Sequence, residues 1–324
     1  MNRLVSANKR NIIIAAKIIR KGGLVAFPTE TVYGLGADAF NEDAVLKIFE
    51  AKKRPSFDPL IVHIADPSQI QLLSRKIGDT AEKLIKKFWP GPLTLILEKR
   101  KGVPDIVTSG LPTVAIRMPS HPVALRLIQE AKSPIAAPSA NRFSYITPTR
   151  ADVILKQLGD KVDLILDDGH THIGIESTIL SLIDEPKILR PGGLAKEEIE
   201  KIIGKVQAVK DPFSHADIES PGQMKKHYAP GTPAEFITEK ALNSIEKNSA
   251  LLLFKKPIPD QYKNRFKRIE VLSSKGDLHE AAKNLFALLY KLDEGGFSRI
   301  YVQKVPYQGI GIAIMDRLRK ATQA

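Results

Sequence analysis

Apolar positions recur at two alternating spacings over residues 12–189, a helical period of about 3.6 and short runs of strand length. Ile12, Ala15, Ala16 and Ile19 share one helical face, and Gly22-Gly23 stops that helix. Residues 24–27 read as a strand ended by Pro28, and 42–53 as a helix with Asn41 at its N-cap. Further helices are predicted over 79–88, 121–131 and 151–158. Strands are predicted over 60–64, 93–97, 114–117, 135–138, 162–166, 178–182 and 187–189. Such alternation is the pattern of an α/β domain. The many short strands with polar ends predict a curved, mixed sheet around a cleft.

Periodicity stops between 209 and 231, where Pro212, Ser214, Ser220, Pro221, Gly222, Pro230 and Gly231 gather. A boundary there gives a domain over 1–208, a linker over 209–231 and a smaller domain over 232–324. In the last part, strands are predicted at 250–254, 269–272 and 299–303, with helices at 278–292 and 312–321. That is a βαβ, Rossmann-like unit of ordinary domain size.

Composition narrows the chemistry. The chain has 324 residues, 43% of them apolar, so two domains with sizeable cores are available. It has no cysteine, which excludes disulfides, Cys-based zinc sites and thiol nucleophiles. The formal net charge of +13 suits an anionic partner, either nucleic acid or a phosphorylated ligand. The excess is spread, however: residues 232–324 hold 16 basic and 10 acidic side chains, or +6, leaving +7 for the first 231. A solvated Lys-rich surface explains that spread as readily as an anion-binding field does. The apolar run 12–16 is shorter than the roughly 7 to 15 residues of a signal-peptide core. No run approaches the roughly 18 residues that suggest a membrane span, so a soluble, cytoplasmic protein is expected.

Candidate chemistry lies in loops that follow strands or helices, where ligands of α/β sheets commonly bind. Pro28-Thr29-Glu30-Thr31-Val32-Tyr33-Gly34-Leu35-Gly36 offers hydroxyls and glycines, and Lys52-Lys53-Arg54-Pro55-Ser56 offers cations ahead of a strand carrying His63. Val114-Ala115-Ile116-Arg117 ends an apolar strand on a guanidinium suited to a carboxylate. Ala137-Pro138-Ser139-Ala140-Asn141, Gly174 to Thr178 and Leu189-Arg190-Pro191-Gly192-Gly193 complete the set. Taken singly, each is also explained by an ordinary turn or helix cap. The sequence lacks a Walker pattern, a complete dinucleotide fingerprint and HExxH. His170-Thr171-His172 has no third ligand beside it, and basic residues are not interleaved with aromatics as in RNA-recognition modules.

In this order the loops resemble those of the threonylcarbamoyl-AMP synthases, which contain a YrdC-like domain. Lys52-x-Arg54-x-x-x-x-Pro59-Leu60-Ile61-Val62-His63 is similar to the family's KxRxxxxPL segment, and Ser139-x-Asn141 to its SxN pair. The loop 28–35, residues 174–178, Arg190-Pro191-Gly192 and His227-Tyr228-Ala229-Pro230 match as well, so the resemblance spans the two-domain form. It implies a YrdC-like twisted mixed sheet with flanking helices around a concave cleft. It also implies an ATP-dependent nucleotidyltransferase that joins L-threonine, bicarbonate and ATP into threonylcarbamoyl-adenylate, releases pyrophosphate and feeds the t6A modification of tRNA.

The same resemblance implies roles. Lys52, Arg54, Ser139 and Asn141 would hold the nucleotide phosphates as the catalytic set, with Ser56, Thr113, Arg190 and Tyr228 as further ATP contacts. Thr31, His63, Arg117, Ala137 and Ser177 would surround threonine, with Arg117 on its carboxylate. The linker would close the cleft through His227 and Tyr228. Mg²⁺ would ride mainly on the ATP phosphates, with no ligand from protein side chains. A tRNA threonylcarbamoyl transferase complex would act downstream, without direct tRNA binding by this chain. Three departures from the family pattern stand out: Lys53 where a small residue is usual, Arg142-Phe143-Ser144-Tyr145 where a Ser-Gly pair is usual, and no aromatic before His227-Tyr228. Two other readings compete: an RNA-binding protein using the basic cleft, and a regulatory module that binds ATP without turnover.

Overall fold

The computed structural model describes residues 3–208, 228–242 and 245–322. The expected lid residue His227 and the linker segment 209–227 lie outside the described residues. In the first part, eleven strands form one sheet. Their order is Leu4–Ser6, Leu164–Asp167, Val25–Phe27, Gly34–Asp38, Ile135–Ala136, Ile61–His63, Thr113–Arg117, Leu93–Glu98, Thr178–Ser181, Lys187–Arg190 and Gln207–Ala208. Parallel and antiparallel pairs mix, as the short polar-ended strands predict.

Strand alternation sorts side chains between the two faces. One face carries Val62, Leu95, Leu97, Val114, Ile116 and Leu180, which belong to the largest core together with Val45, Ile48 and Phe49 of the helix Glu42–Lys52. The other face carries a smaller apolar cluster of Ile61, Ile96, Ala115, Ile179 and Leu189, flanked by His63, Thr94 and Arg117. Register fixes these polar neighbours. His63 pairs with Arg117, Arg117 with Thr94, and Leu93 with Thr178, so the strand ends that bear them sit side by side.

Most predicted helices appear within a residue of their expected limits. Asn41 caps its helix by accepting from the Ala44 amide at 3.0 Å, and Lys53 ends it in the left-handed region with φ 53°. The structure forms a strand over Gly34–Asp38 where the hydroxyls and glycines of 28–36 predict a loop. Gly36 is required by packing: a Cβ there would meet the Phe27 ring and Ile135 within 2.7 Å. The helix Lys196–Ile203 and the strands Leu4–Ser6, Gln207–Ala208 and Ala234–Phe236 also went unread, being short or at an edge. The strand expected over 135–138 ends at Ala136, where Pro138 removes a donor.

The last part is a parallel four-stranded sheet in the order Ala234–Phe236, Arg299–Val302, Ser249–Leu253, Arg268–Val271, covered by the helices Leu278–Asp293 and Gly311–Ala321. Its core is not its own. Val32, Ile146 and Ile175 from the first part, together with Tyr228, pack among Leu285, Phe286, Leu289, Ile300 and Ile314. Among the described residues, no helix is long and apolar enough to cross a membrane.

Candidate active site

A cleft of about 40 Å³ opens where those strand ends meet the second domain. Thr29, Arg54, His63, Arg117, Ala137, Ser139, Glu176, Ser177, Arg190 and Tyr228 line it. Residues separated by up to some two hundred positions thus converge on one point, which the sheet order explains.

Its cations are buried and held. Lys52 closes the helix Glu42–Lys52, and its Nζ donates to the carbonyl oxygens of Ser139 and Asn141, both at 2.5 Å. Burial, reinforced by neighbouring Arg54, pushes the Lys52 ammonium well below its ordinary pKa. Arg54 forks onto the backbone of Asp58 and Pro59 at 3.0 and 2.9 Å and pairs with the Asp58 carboxylate at 2.8 Å. Burial raises the Asp58 pKa even though Arg54, Lys52 and Arg190 oppose the shift. Ser139 Oγ donates to Asn141 Oδ1 at 2.5 Å, and the Asn141 amide donates to the carbonyls of Arg142 and Tyr145, so the Ser-x-Asn loop is a closed hydrogen-bonded turn.

Elsewhere in the cleft, Arg117 Nη2 donates to Glu30 Oε1 at 2.7 Å, and its Nε reaches the Gly91 carbonyl at 3.3 Å. Arg190 donates to the carbonyl and hydroxyl of Ser177, whose Oγ also lies 2.7 Å from Thr94 Oγ1. Thr31 and Thr29 share a hydrogen bond at 2.8 Å. His63 is buried edge-on to Phe27, and burial with Arg117 nearby lowers its pKa to about 3, so the ring is neutral at pH 7. Its Nδ1 has no hydrogen-bond partner among the described residues, which leaves a polar atom on the cleft wall.

Two expected contacts, Thr113 and Ser56, lie away from the cleft, and a third, Thr31, is buried behind Thr29 of its lining. Thr113 shares the face of Ala115 and Arg117 but stands four residues back, about 13 Å along the strand. There it lines a neighbouring groove with Ile96, Ser181 and Leu189. The apolar cluster of Ile61, Ile96, Ala115 and Leu189 forms the floor between the two. Ser56 is exposed on the loop before Asp58 and is not part of the cleft lining. Lys52 and Asn141 sit behind the lining and hold it. The reading of side chains missed Glu30, Asp58, Glu176 and Arg317. The first three lie inside or beside the singled-out loops as lone acids facing cations, a signal that was available. Arg317 had none.

The arrangement of three buried guanidinium groups, paired hydroxyls and a neutral imidazole suits an anionic, hydroxyl-bearing ligand. Comparison with known proteins decides the family. Residues 17–192 match a domain model described as "Telomere recombination", and residues 194–323 match the model "Threonylcarbamoyl-AMP synthase, C-terminal domain". The chain belongs to the threonylcarbamoyl-AMP synthase family. It is 43% identical to the threonylcarbamoyl-AMP synthase of Pyrococcus abyssi, over 96% of this chain and 94% of that protein. It is 42% identical to the one from Bacillus subtilis, over 98% and 94%. The crystal structure of Pyrococcus abyssi Sua5 complexed with L-threonine superposes with a TM-score of 0.89 at 41% identity, covering 99% of this chain and 96% of that one. The chain is therefore an enzyme of the two-domain form, and the RNA-binding reading is not favoured.

Proposed function

We propose that this chain condenses L-threonine, bicarbonate and ATP into threonylcarbamoyl-adenylate with release of pyrophosphate, and that the cleft around Arg54, Arg117, Ser139, Ser177 and Arg190 is where it does so. The observation that carries the reading is the meeting of these buried cations and hydroxyls at one cleft, in a chain whose full-length relatives bear that name.

The threonine amino group attacks bicarbonate, water leaves, and the resulting carbamate oxygen attacks the α-phosphorus of ATP while pyrophosphate departs. The carbamate and ATP are both anionic, so the demand is for positioning and charge neutralisation rather than for a protein nucleophile. Arg117 holds the threonine carboxylate, and the neutral His63 and the Thr29–Thr31 pair serve its polar groups. Ala137 and Ser177 border the same end. Arg54, Ser139 and Arg190 face the phosphates, and Lys52 and Asn141 keep the Ser139 loop in shape. The nucleoside extends over the apolar floor toward Thr113. Tyr228, buried against Phe286 with ring centroids 5.3 Å apart, walls the phosphate end.

Mg²⁺ supplies charge neutralisation on the phosphates. The carboxylates at the cleft, Asp58, Glu176 and Glu30, are each held by an arginine, which fits a metal carried by the nucleotide rather than caged by the protein. A cytoplasmic location and delivery of the labile product to a tRNA-modifying transferase belong to the same proposal.

The test is pyrophosphate release from ATP in bicarbonate buffer, with and without L-threonine and with L-serine as control. Threonine-dependent release is expected. ATP binding without release would instead support a regulatory module.

A further inference from the structure

The second domain reaches the cleft-lining Glu176 through Arg317. Arg317, on the helix Gly311–Ala321, is 0% exposed. Its Nε donates to Glu176 Oε2 at 3.0 Å, and its Nη1 donates to the Pro191 carbonyl at 2.8 Å and to Asp316 Oδ2 at 2.7 Å. Glu176 and Pro191 are each the chain neighbour of a cleft residue, Ser177 and Arg190. Those two are themselves joined by the Arg190 guanidinium donating to Ser177. The Arg317 guanidinium also lies 5.3 Å from the centre of the Tyr228 ring.

The surrounding backbone is fitted to this contact. A Cβ on Gly192 would overlap the backbone of Glu176, Ser177 and Thr178, so the two segments already touch. Gly174, at φ 81°, lies where a Cβ would run into the backbone of Ala282 and Lys283 on the second domain's long helix. Burial opposes the charged form of Glu176, yet Arg317 and Arg190 hold its carboxyl below the usual range. A buried ion pair is a weak stabiliser compared with apolar side chains of similar volume, so what this one contributes is geometry.

We infer that Arg317 is a positioning residue for the reaction: through it the second domain holds Glu176-Ser177 and Arg190-Pro191, two segments bordering the substrates, in fixed register. This rests on the functional reading above.

The test compares full-length wild type, Arg317→Met and Arg317→Lys. It measures KM for L-threonine and for ATP together with kcat for pyrophosphate release, at a temperature where circular dichroism shows each protein folded. Arg317→Met is expected to raise both KM values tenfold or more. Arg317→Lys can meet Glu176 but cannot fork to the Pro191 carbonyl, and is expected to fall between. Unchanged KM values in Arg317→Met, whether kcat is normal or falls only with the folded fraction, would overturn the inference. If Arg317→Met does not fold, Arg317→Lys decides on the same criterion. Wild type distinguishes the two readings. Threonine-dependent release by wild type with variants unaltered in KM overturns this inference alone, whereas no release by wild type overturns the function and this inference with it.

Discussion

Arg117 and Glu30 meet at 2.7 Å with side chains only 4% and 7% exposed, so the guanidinium chosen for the substrate carboxylate already has an acidic partner. Under the proposed function, the threonine carboxylate would share Arg117 with Glu30. Arg117→Lys keeps the charge but cannot span Glu30 and the Gly91 carbonyl together. The KM for L-threonine is expected to rise about tenfold, equivalent to about 1.4 kcal/mol, with a smaller change for ATP. Glu30→Ala leaves the guanidinium buried without its countercharge and is expected to cost about 3 kcal/mol or more of stability, read by urea unfolding.

Lys52→Met tests whether the lysine acts on the loop. Removing the ammonium leaves the Ser139 and Asn141 carbonyls without that donor, at about 1–3 kcal/mol for each group left unsatisfied. The expected result is a loss of about 2 kcal/mol in urea unfolding and at least a tenfold fall in pyrophosphate release. A fall in activity with unchanged stability would show that Lys52 acts on substrate alone.

The buried imidazole of His63 sets a pH dependence. Its folded pKa is lowered from 6.5 to about 3, so between those values the unfolded chain binds the extra proton. Stability is therefore fully present above pH 6.5 and falls as the pH drops toward 3, by up to about 1.4 kcal/mol per unit. His121 and His170, also lowered by burial, act in the same direction. Unfolding free energies at pH 4, 5, 6 and 7 for wild type and His63→Gln should converge at low pH. Parallel curves would remove His63 as a cause.

Gly192→Ala introduces a methyl where the backbone of residues 176–178 already stands. Overpacking of this kind costs about 1–3 kcal/mol or more. Because it pries Arg190 from Ser177, the KM for both substrates should rise alongside the drop in melting temperature. A wild-type melting temperature would show that the two segments separate freely.

Much of the fold could be read because it follows from local pattern. The helices 79–88 and 151–158 fall where apolar spacing places them, and Asn41 caps as its side-chain chemistry predicts. Gly34–Asp38 escaped because Gly36 answers to the neighbouring Phe27 ring rather than to strand propensity. The cleft was legible as a set of loops, since cations and hydroxyls after strands are visible one by one. What binds them together was not: the pairing of Arg117 with Glu30 depends on sheet register, and that of Glu176 with Arg317 spans 141 positions. Thr113 shows the converse. Alternation puts it on the face of Arg117, while its distance along the strand leaves it in a neighbouring groove.

Val32, Ile146 and Ile175 belong by sequence to the first domain and by packing to the second core. A chain cut after residue 208 would therefore turn three buried aliphatic side chains to water, at about 1.5–3 kcal/mol each. The two parts should melt as one cooperative unit, with a calorimetric enthalpy matching the van't Hoff value, and the excised first part should aggregate rather than persist as a smaller working enzyme.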